Sequence, residues 1–259
     1  MLGGVPNSID LQAWLQTACS AYVFDLLGVY QRGGDHQWPI IANSADELET
    51  IVLEGGHILP LPKESASLAN VLEVSVADHI AERVSATSGL QVVRGTERGY
   101  PDLEFTGARL NDEFHAVDIK VARRKRIKKG VSKNTESRIT LYTGNTYFRY
   151  PTLHWPGTFR PFSECASHLD IVVLYTLNEE SPSRVEDLEL IVQPAWKIAS
   201  KQRSSTTREY IGAVVDIDDL RAGRGEFATP EEFYTFWRKY PFKIGRVVQQ
   251  QLDKLLSRG

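Results

Sequence analysis

The chain has almost no cysteine. Cys19 and Cys165 are the only two in 259 residues, too few and too isolated for a disulfide framework or a zinc cluster. The six histidines (His36, His57, His79, His115, His154 and His168) show no paired ligand spacing, and each reads as an ordinary surface or core residue. No stretch approaches the roughly 20 apolar residues of a membrane-spanning helix. The opening MLGGVPNSIDLQAW lacks a basic leader and an apolar signal core, so no export signal is expected and a reducing cytoplasm is the default location. Internal repeats and low-complexity linkers are also missing. So is any excess of positive charge: the net charge is −3, which by itself argues against a nucleic-acid partner. What remains is 42% hydrophobic and 24% charged. That is ample for one sizeable core, whether in one elaborated domain or two.

The charge is unevenly spread. Residues 1–90 carry 11 acidic and 3 basic side chains, and the remainder carries 22 acidic and 27 basic. Seven of those basic residues (Arg123, Arg124, Lys125, Arg126, Lys128, Lys129 and Lys133) fall within eleven positions that hold no acid. Such a run describes a solvated loop or a localisation signal equally well. Its place in the chain favours phosphate neutralisation, because it closes the stretch richest in chemistry.

That stretch is YPDLEFTGARLNDEFHAVDIKVARRKRIKKG, Tyr100 to Gly130. LEFTG and FHAVDIKV read as two strands joined by a polar turn around Arg109 to Asp112. Side chains alternate along a strand, so Asp118 and Lys120 share a face while His115, Val117, Ile119 and Val121 point the other way. Asp102 stands at the start of the first strand, and antiparallel pairing brings that start beside the end of the second. Asp102 and Asp118 could then share one Mg²⁺, which prefers carboxylate and water oxygens and acidifies the water it binds. Lys120, a compact point charge, could hold the attacking hydroxide or the scissile phosphate. Two carboxylates and a lysine followed by a basic run read as a metal-dependent nuclease. On composition alone, an exposed hairpin with solvated charges fits as well.

The rest of the chain alternates helical and extended patterns. Asp10 to Tyr30 has helical apolar spacing with Asp10 as cap, SADELETIVLEGG starts at Ser44 and stops at glycine, and Glu64 to Gly89 spans a long helix. LQVVRG, SRITLYTG, HLDIVVLYTL, EDLELIVQPAWKIA and EYIGAVVDI are expected strands, with the apolar HLDIVVLYTL at the sheet centre. ECASHL before it is expected to be helical. TPEEFYTFWRKY, capped by Thr229 with Pro230 in its first turn, and GRVVQQQLDKLLS are expected helices. Helices, then strands, then helices imply an α+β fold around one central mixed sheet.

The segments HILPLPKESASLANVLE, YPDLEF with AVDIK, ITLYTGNTYFRY, RPFSECASHLDIVVLYTL, VQPAWKIASKQRSSTTREYIG and GEFATPEEFYTFWRKYP together resemble EcoRV-like type II restriction endonucleases, within the PD-(D/E)xK nuclease superfamily. The similarity runs over roughly residues 57 to 241, and the sixteen-residue gap between the two aspartates matches the family spacing. The first fifty residues and the terminal helix are not convincingly covered. The resemblance implies a restriction-endonuclease-like core, a central mixed sheet flanked by helices, in a single domain spanning residues 1–259. Residues 1–60 would form an N-terminal, dimerising subregion, and 61–245 the catalytic and recognition core.

By the same resemblance, Asp102 and Asp118 are the metal carboxylates, with the Ile119 carbonyl as a further ligand, and Lys120 is the catalytic lysine. Glu73 falls where the family places a helical glutamate near the metal; unaided, it reads as a surface helix residue. Gly95 to Gly99, containing Thr96, Glu97 and Arg98, matches a loop that approaches the minor groove. Lys201 to Tyr210 matches the loop that enters the major groove, although unaided it reads as a flexible polar turn. The family has Gly-Ser-Gly-Asn-Thr there, whereas this chain has Ser204, Ser205, Thr206, Thr207 and Arg208, so the bases read should differ. Arg123, Arg124, Lys125 and Arg126 are the expected backbone contacts.

The activity implied is Mg²⁺-dependent hydrolysis of double-stranded DNA at a palindromic site by a homodimer, leaving 5′-phosphates and, on resemblance alone, blunt ends. Mn²⁺ is expected to substitute, and Ca²⁺ to support binding without cleavage. A cognate DNA methyltransferase belongs to such a system, with no contact implied. The alternatives are a repair nickase or junction nuclease on the same core, and a DNA-binding module that does not cut. Intact Asp102, Asp118 and Lys120 argue against the last.

Overall fold

The computed structural model describes residues 8–24, 42–47, 49–50, 65–96, 99–178 and 184–257. Part of the helix expected from Ser44, including residues 51–56, lies outside them. In chain order the elements are α1 (Leu11–Ser20), α2 (Ser65–Ser85), β1 (Gln91–Arg94), β2 (Leu103–Thr106), β3 (Phe114–Arg123), β4 (Thr140–Thr143), β5 (Cys165–Leu177), β6 (Val185–Pro194), α3 (Ala195–Ile198), β7 (Ala199–Arg203), β8 (Tyr210–Ala213), α4 (Ile217–Ala222), α5 (Pro230–Lys239) and α6 (Arg246–Leu256).

The fold is α+β, built on a mixed five-stranded sheet in the order β1-β2-β3-β5-β6. β3 and β5 run parallel, and the other pairs are antiparallel. β4, β8 and β7 form a separate three-stranded sheet, where a single sheet was expected.

The run Ile171 to Tyr175 in β5 is apolar because both faces of the strand are covered there. Val172 and Leu174 join the core under the small sheet and α5, while Ile171 and Val173 join the core under α1 and α2. The five-stranded sheet thus divides two hydrophobic layers. α5 has the caps its sequence implies. The Thr229 hydroxyl accepts from the Glu232 amide at 3.2 Å, Pro230 occupies the first turn, and acids start the helix while bases end it. It buries Phe233 and Trp237, whose indole donates to the Ser200 carbonyl at 3.2 Å.

The β6 edge is closed by side chains. Gln12 donates to the Val192 carbonyl at 3.1 Å, Gln16 donates to the Leu190 carbonyl at 3.2 Å, and the Val192 amide donates to Gln16 at 2.9 Å. Two glutamines on α1 therefore act as a substitute strand for an edge that would otherwise present unpaired backbone groups.

Four expectations are corrected. The helix expected from Asp10 to Tyr30 ends at Ser20, and residues 22–24 are not helical. ECASHL is not helical: a 3₁₀ turn covers Phe162–Glu164 and β5 already begins at Cys165, because parallel pairing with β3 overrides the local preference. The strand expected through PAWKIA stops at Pro194 and makes one helical turn before β7. EYIGAVVDI ends as a strand at Ala213, and the unexpected α4 follows, capped by Asp216 and stopped by Gly223 at φ 60°.

Candidate active site and nucleic-acid interface

The β2–β3 hairpin sets the register of the site. Leu103 pairs with Val117 and Glu104 with Ala116, so the residues just beyond, Asp102 and Asp118, meet at the open end. The Asp102 amide donates to Asp118 Oδ1 at 3.2 Å, and the Ile119 amide donates to Asp102 Oδ2 at 2.6 Å. Lys120 Nζ forms an ion pair with Asp118 Oδ2. Gly95 lets β1 approach: its amide donates to the Asp102 carbonyl at 2.7 Å, and an added Cβ would stand 2.3 Å from the Pro101 oxygen.

These groups form one wall of a cavity of about 310 Å³ that is also lined by Glu73, Gly99, Thr140, Tyr147 and Tyr210. Glu73 comes from α2, and the opposite wall comes from the small sheet. A second hollow of about 350 Å³ shares Glu73, Ile119, Lys120 and Thr140 and adds Ser137 and Arg138. The structure thus brings Glu73, Asp102, Asp118, Ile119 and Lys120 together. Among the described residues, no three His, Cys, Asp or Glu side chains converge as a ready-made metal cage; the carboxylate pair and backbone oxygens remain as donors.

The electrostatics show what the site is short of. Burial, then the neighbouring Asp118 charge, raises the Asp102 carboxyl to about 8, against opposition from Lys120 and the Ile119 amide. Burial also raises Glu73, with Lys120 opposing and Asp118 reinforcing. Burial pulls the Lys120 ammonium down, but Asp118, Asp102 and Asp170 outweigh it and leave the group firmly protonated. A buried pair of carboxyl groups whose mutual repulsion Lys120 only partly offsets fits a divalent-ion ligand. The donors are hard oxygens, which suit Mg²⁺.

Two residues escaped the sequence reading. Asp170, on β5, pairs directly across from Asp118 and is 1% exposed. Burial raises its pKa well above the carboxylate range, with Lys120 lowering it and Asp118 raising it further. Tyr147 lines the cavity with its hydroxyl accepting from the Thr143 amide at 3.3 Å. A periodicity search reads Asp170 as one polar break in an apolar strand, and nothing local ties it to residues fifty positions earlier.

The DNA-facing candidates separate by burial. Thr96 is exposed; Glu97 and Arg98 lie outside the described residues. Ser204 to Arg208 form the tip between β7 and β8. Ser204 is tied to Thr140 at 2.6 Å, Ser205 accepts from the Thr207 and Arg208 amides at 3.3 and 3.1 Å, and Thr206, Thr207 and Arg208 are exposed. Arg203 braces the tip from Glu209 at 3.0 Å and the Thr206 carbonyl at 3.2 Å. Because Thr140 and Tyr210 also line the cavity, the tip stands on its rim.

In the basic run, Arg123 pairs with Glu136 at 2.7 Å. Arg124 is buried against Glu189 at 2.5 Å and also donates to the Asp187 carbonyl at 3.3 Å. Lys125 and Arg126 are exposed. The expected phosphate role of Arg124 is not one this placement serves, since its guanidinium is engaged inside the protein.

The sheet order and the Asp-Asp-Lys cluster at the hairpin's open end define a restriction-endonuclease-like protein. The chain belongs to the EcoRV endonuclease family: the family pattern described as "Restriction endonuclease EcoRV" matches residues 34–257. Among curated proteins, "Type II restriction enzyme EcoRV" of Escherichia coli is 23% identical over 207 residues, covering 73% of this chain and 80% of that protein. No helix among the described residues is long and apolar enough to cross a membrane.

Proposed function

We propose that the protein is a Mg²⁺-dependent, sequence-specific deoxyribonuclease that hydrolyses both strands of duplex DNA at a palindromic site. The observation that carries this reading is the Asp102–Asp118–Lys120 cluster on the wall of a groove in a chain of this family. Asp102 and Asp118 would hold the ion, with Glu73 and the Ile119 carbonyl beside them. When bound, Mg²⁺ would acidify water and offset phosphate charge. Lys120 would donate hydrogen bonds to the scissile phosphate, where charge develops in the transition state. In the balanced reaction, water adds to phosphorus, the P–O3′ bond breaks, and the 3′-oxygen leaves with a proton. The products are a 5′-phosphate and a 3′-hydroxyl.

The remaining parts of the reading concern assembly. A palindromic duplex is matched by a protein two-fold, so the working unit is a homodimer. Residues 1–60 would serve the dimer contact, and 61–245 catalysis and recognition within one domain. Cuts facing each other across the two-fold would give blunt ends, and a methyltransferase of the same system would protect host sites. Mn²⁺ should replace Mg²⁺. Ca²⁺ should support binding with little turnover, because its looser coordination positions water poorly.

The test is digestion of DNA of known sequence with and without Mg²⁺, followed by mapping of the ends. Discrete Mg²⁺-dependent fragments are expected. Asp102→Ala, Asp118→Ala and Lys120→Ala should each abolish them while leaving the circular dichroism spectrum intact. Normal cleavage by any of the three variants would overturn the assignment of that residue, and metal-independent cutting would overturn the mechanism.

A further inference from the structure

Among the described residues, Asp170 is a carboxyl group beside the site that the mechanism above does not use. Its Cα stands directly opposite Asp118 in the parallel β3–β5 ladder, so both side chains emerge on the same sheet face, as does that of Lys120. It is 1% exposed and its Oδ2 has no hydrogen-bond partner. An orphaned buried oxygen is costly and signals a donor that arrives in another state. Lys120 is the cation within electrostatic reach of it, and the Tyr100 and Tyr142 hydroxyls also lie in reach. The nearby Tyr100 hydroxyl is already hydrogen-bonded to His168 Nδ1 at 2.6 Å.

The lysine needs a second anchor. Its ion-pair partner is Asp118 Oδ2. A divalent ion on Asp118 and Asp102 would take those oxygens and repel the ammonium at short range. Without another acceptor, Lys120 would be driven out of the groove when it is needed there, and the orphaned Asp170 Oδ2 on the same sheet face is such an acceptor. We propose that Asp170 is a positioning residue: it receives the Lys120 ammonium when Asp118 engages the metal, and so keeps the lysine beside the scissile phosphate. This rests on the divalent-cation reading of the site.

The test uses the full chain and reads the lysine directly. Wild type and Asp170→Asn are exposed to an amine-acylating reagent with and without saturating Ca²⁺, and modification of Lys120 is followed by peptide mass spectrometry. Without the ion, Lys120 is protected in both, because Asp118 holds it. With Ca²⁺ it stays protected in wild type and is modified about tenfold faster in Asp170→Asn. Asp170→Ser, which fits the same space, should repeat the result if the amide variant folds poorly. With Mg²⁺ and DNA, kcat should fall about ten- to a hundredfold with KM little changed, the mark of an interaction needed in the transition state.

Equal modification of Lys120 in wild type and variant under Ca²⁺ overturns the proposal, as does a change confined to KM. Calorimetry on the wild type separates the two layers of argument. If no Ca²⁺ binds, the cation reading falls and this inference with it. If Ca²⁺ binds and the lysine is modified equally, only the role of Asp170 falls.

Discussion

At the residue scale, Asp102 carries the clearest pH signature. Its folded-state pKa of about 8 lies far above the unfolded value near 3.9. Between those values the folded state holds the extra proton, so in ion-free buffer this group weakens the fold as pH rises from about 4 to 8. An ion that binds the carboxylate must displace that proton, so its affinity should rise with pH by up to about tenfold per unit below pH 8. Calorimetric Ca²⁺ titration between pH 6 and 8.5 checks this. A pH-independent affinity would mean that Asp102 is not a ligand. Arg208 offers a second residue-scale test. It is exposed at the loop tip on the groove rim, its guanidinium lying 6.0 Å from the Tyr210 ring, and its side chain can make a bidentate contact to guanine O6 and N7. Arg208→Ala should lower cognate cleavage about ten- to a hundredfold, with little loss of non-specific binding. Equal losses on cognate and mismatched duplexes would make Arg208 a backbone contact instead. The proximity of Asp102, Asp118 and Lys120 was legible because they lie within one hairpin, where strand alternation and antiparallel pairing place them. Asp170 was not, because only the β3–β5 pairing brings it there.

At the element scale, the starts of the capped helices were readable, although α1 stops at Ser20 where its apolar spacing ran on to Tyr30. α5 matches its expected span because Thr229, Pro230 and the charge order all act locally. The misread segments, ECASHL and PAWKIA, are those where pairing across the sheet or a turn between sheets decides the conformation. Likewise, local periodicity cannot say that β4, β7 and β8 leave the central sheet, and that departure opens the groove. The α1–β6 contact shows the same dependence on distant partners, and it can be tested. Gln16 both donates to and accepts from the β6 backbone. Gln16→Leu should leave the Leu190 carbonyl and Val192 amide without partners, costing about 1–3 kcal/mol. A lower denaturation midpoint, together with concentration-dependent association through the opened edge, is the expected result. Unchanged stability would mean that water replaces the glutamine at little cost.

At the scale of the whole molecule, the question is how a chain of net charge −3 grips a polyanion. The acidic excess lies in residues 1–90 and the basic excess beyond them, so what the duplex meets is decided by which basic side chains face out. Sequence counts seven in one run; the structure divides them. Arg124 bridges to Glu189, which also accepts from Nε and one terminal nitrogen of Arg221 at 2.5 and 2.8 Å. That partly buried network ties the end of β3 to β6 and α4 and keeps the Arg124 guanidinium from solvent. Lys125 and Arg126 stand on the surface beyond the end of β3, on the strand that carries Asp118 and Lys120. Replacing Lys125 and Arg126 together by alanine should therefore weaken binding to every duplex alike. The slope of log K against log salt should fall by about two, since each lost phosphate contact removes about 0.9. Arg124→Ala should behave differently. It leaves Glu189 short of one partner in a partly buried network, so it should lower thermal stability, while the salt slope of the folded fraction stays as in wild type. Melting curves and salt titrations on both variants decide between the two roles. If Arg124→Ala flattens the salt slope without destabilising the fold, Arg124 must turn outward when DNA binds, and the whole run acts as one phosphate-binding surface.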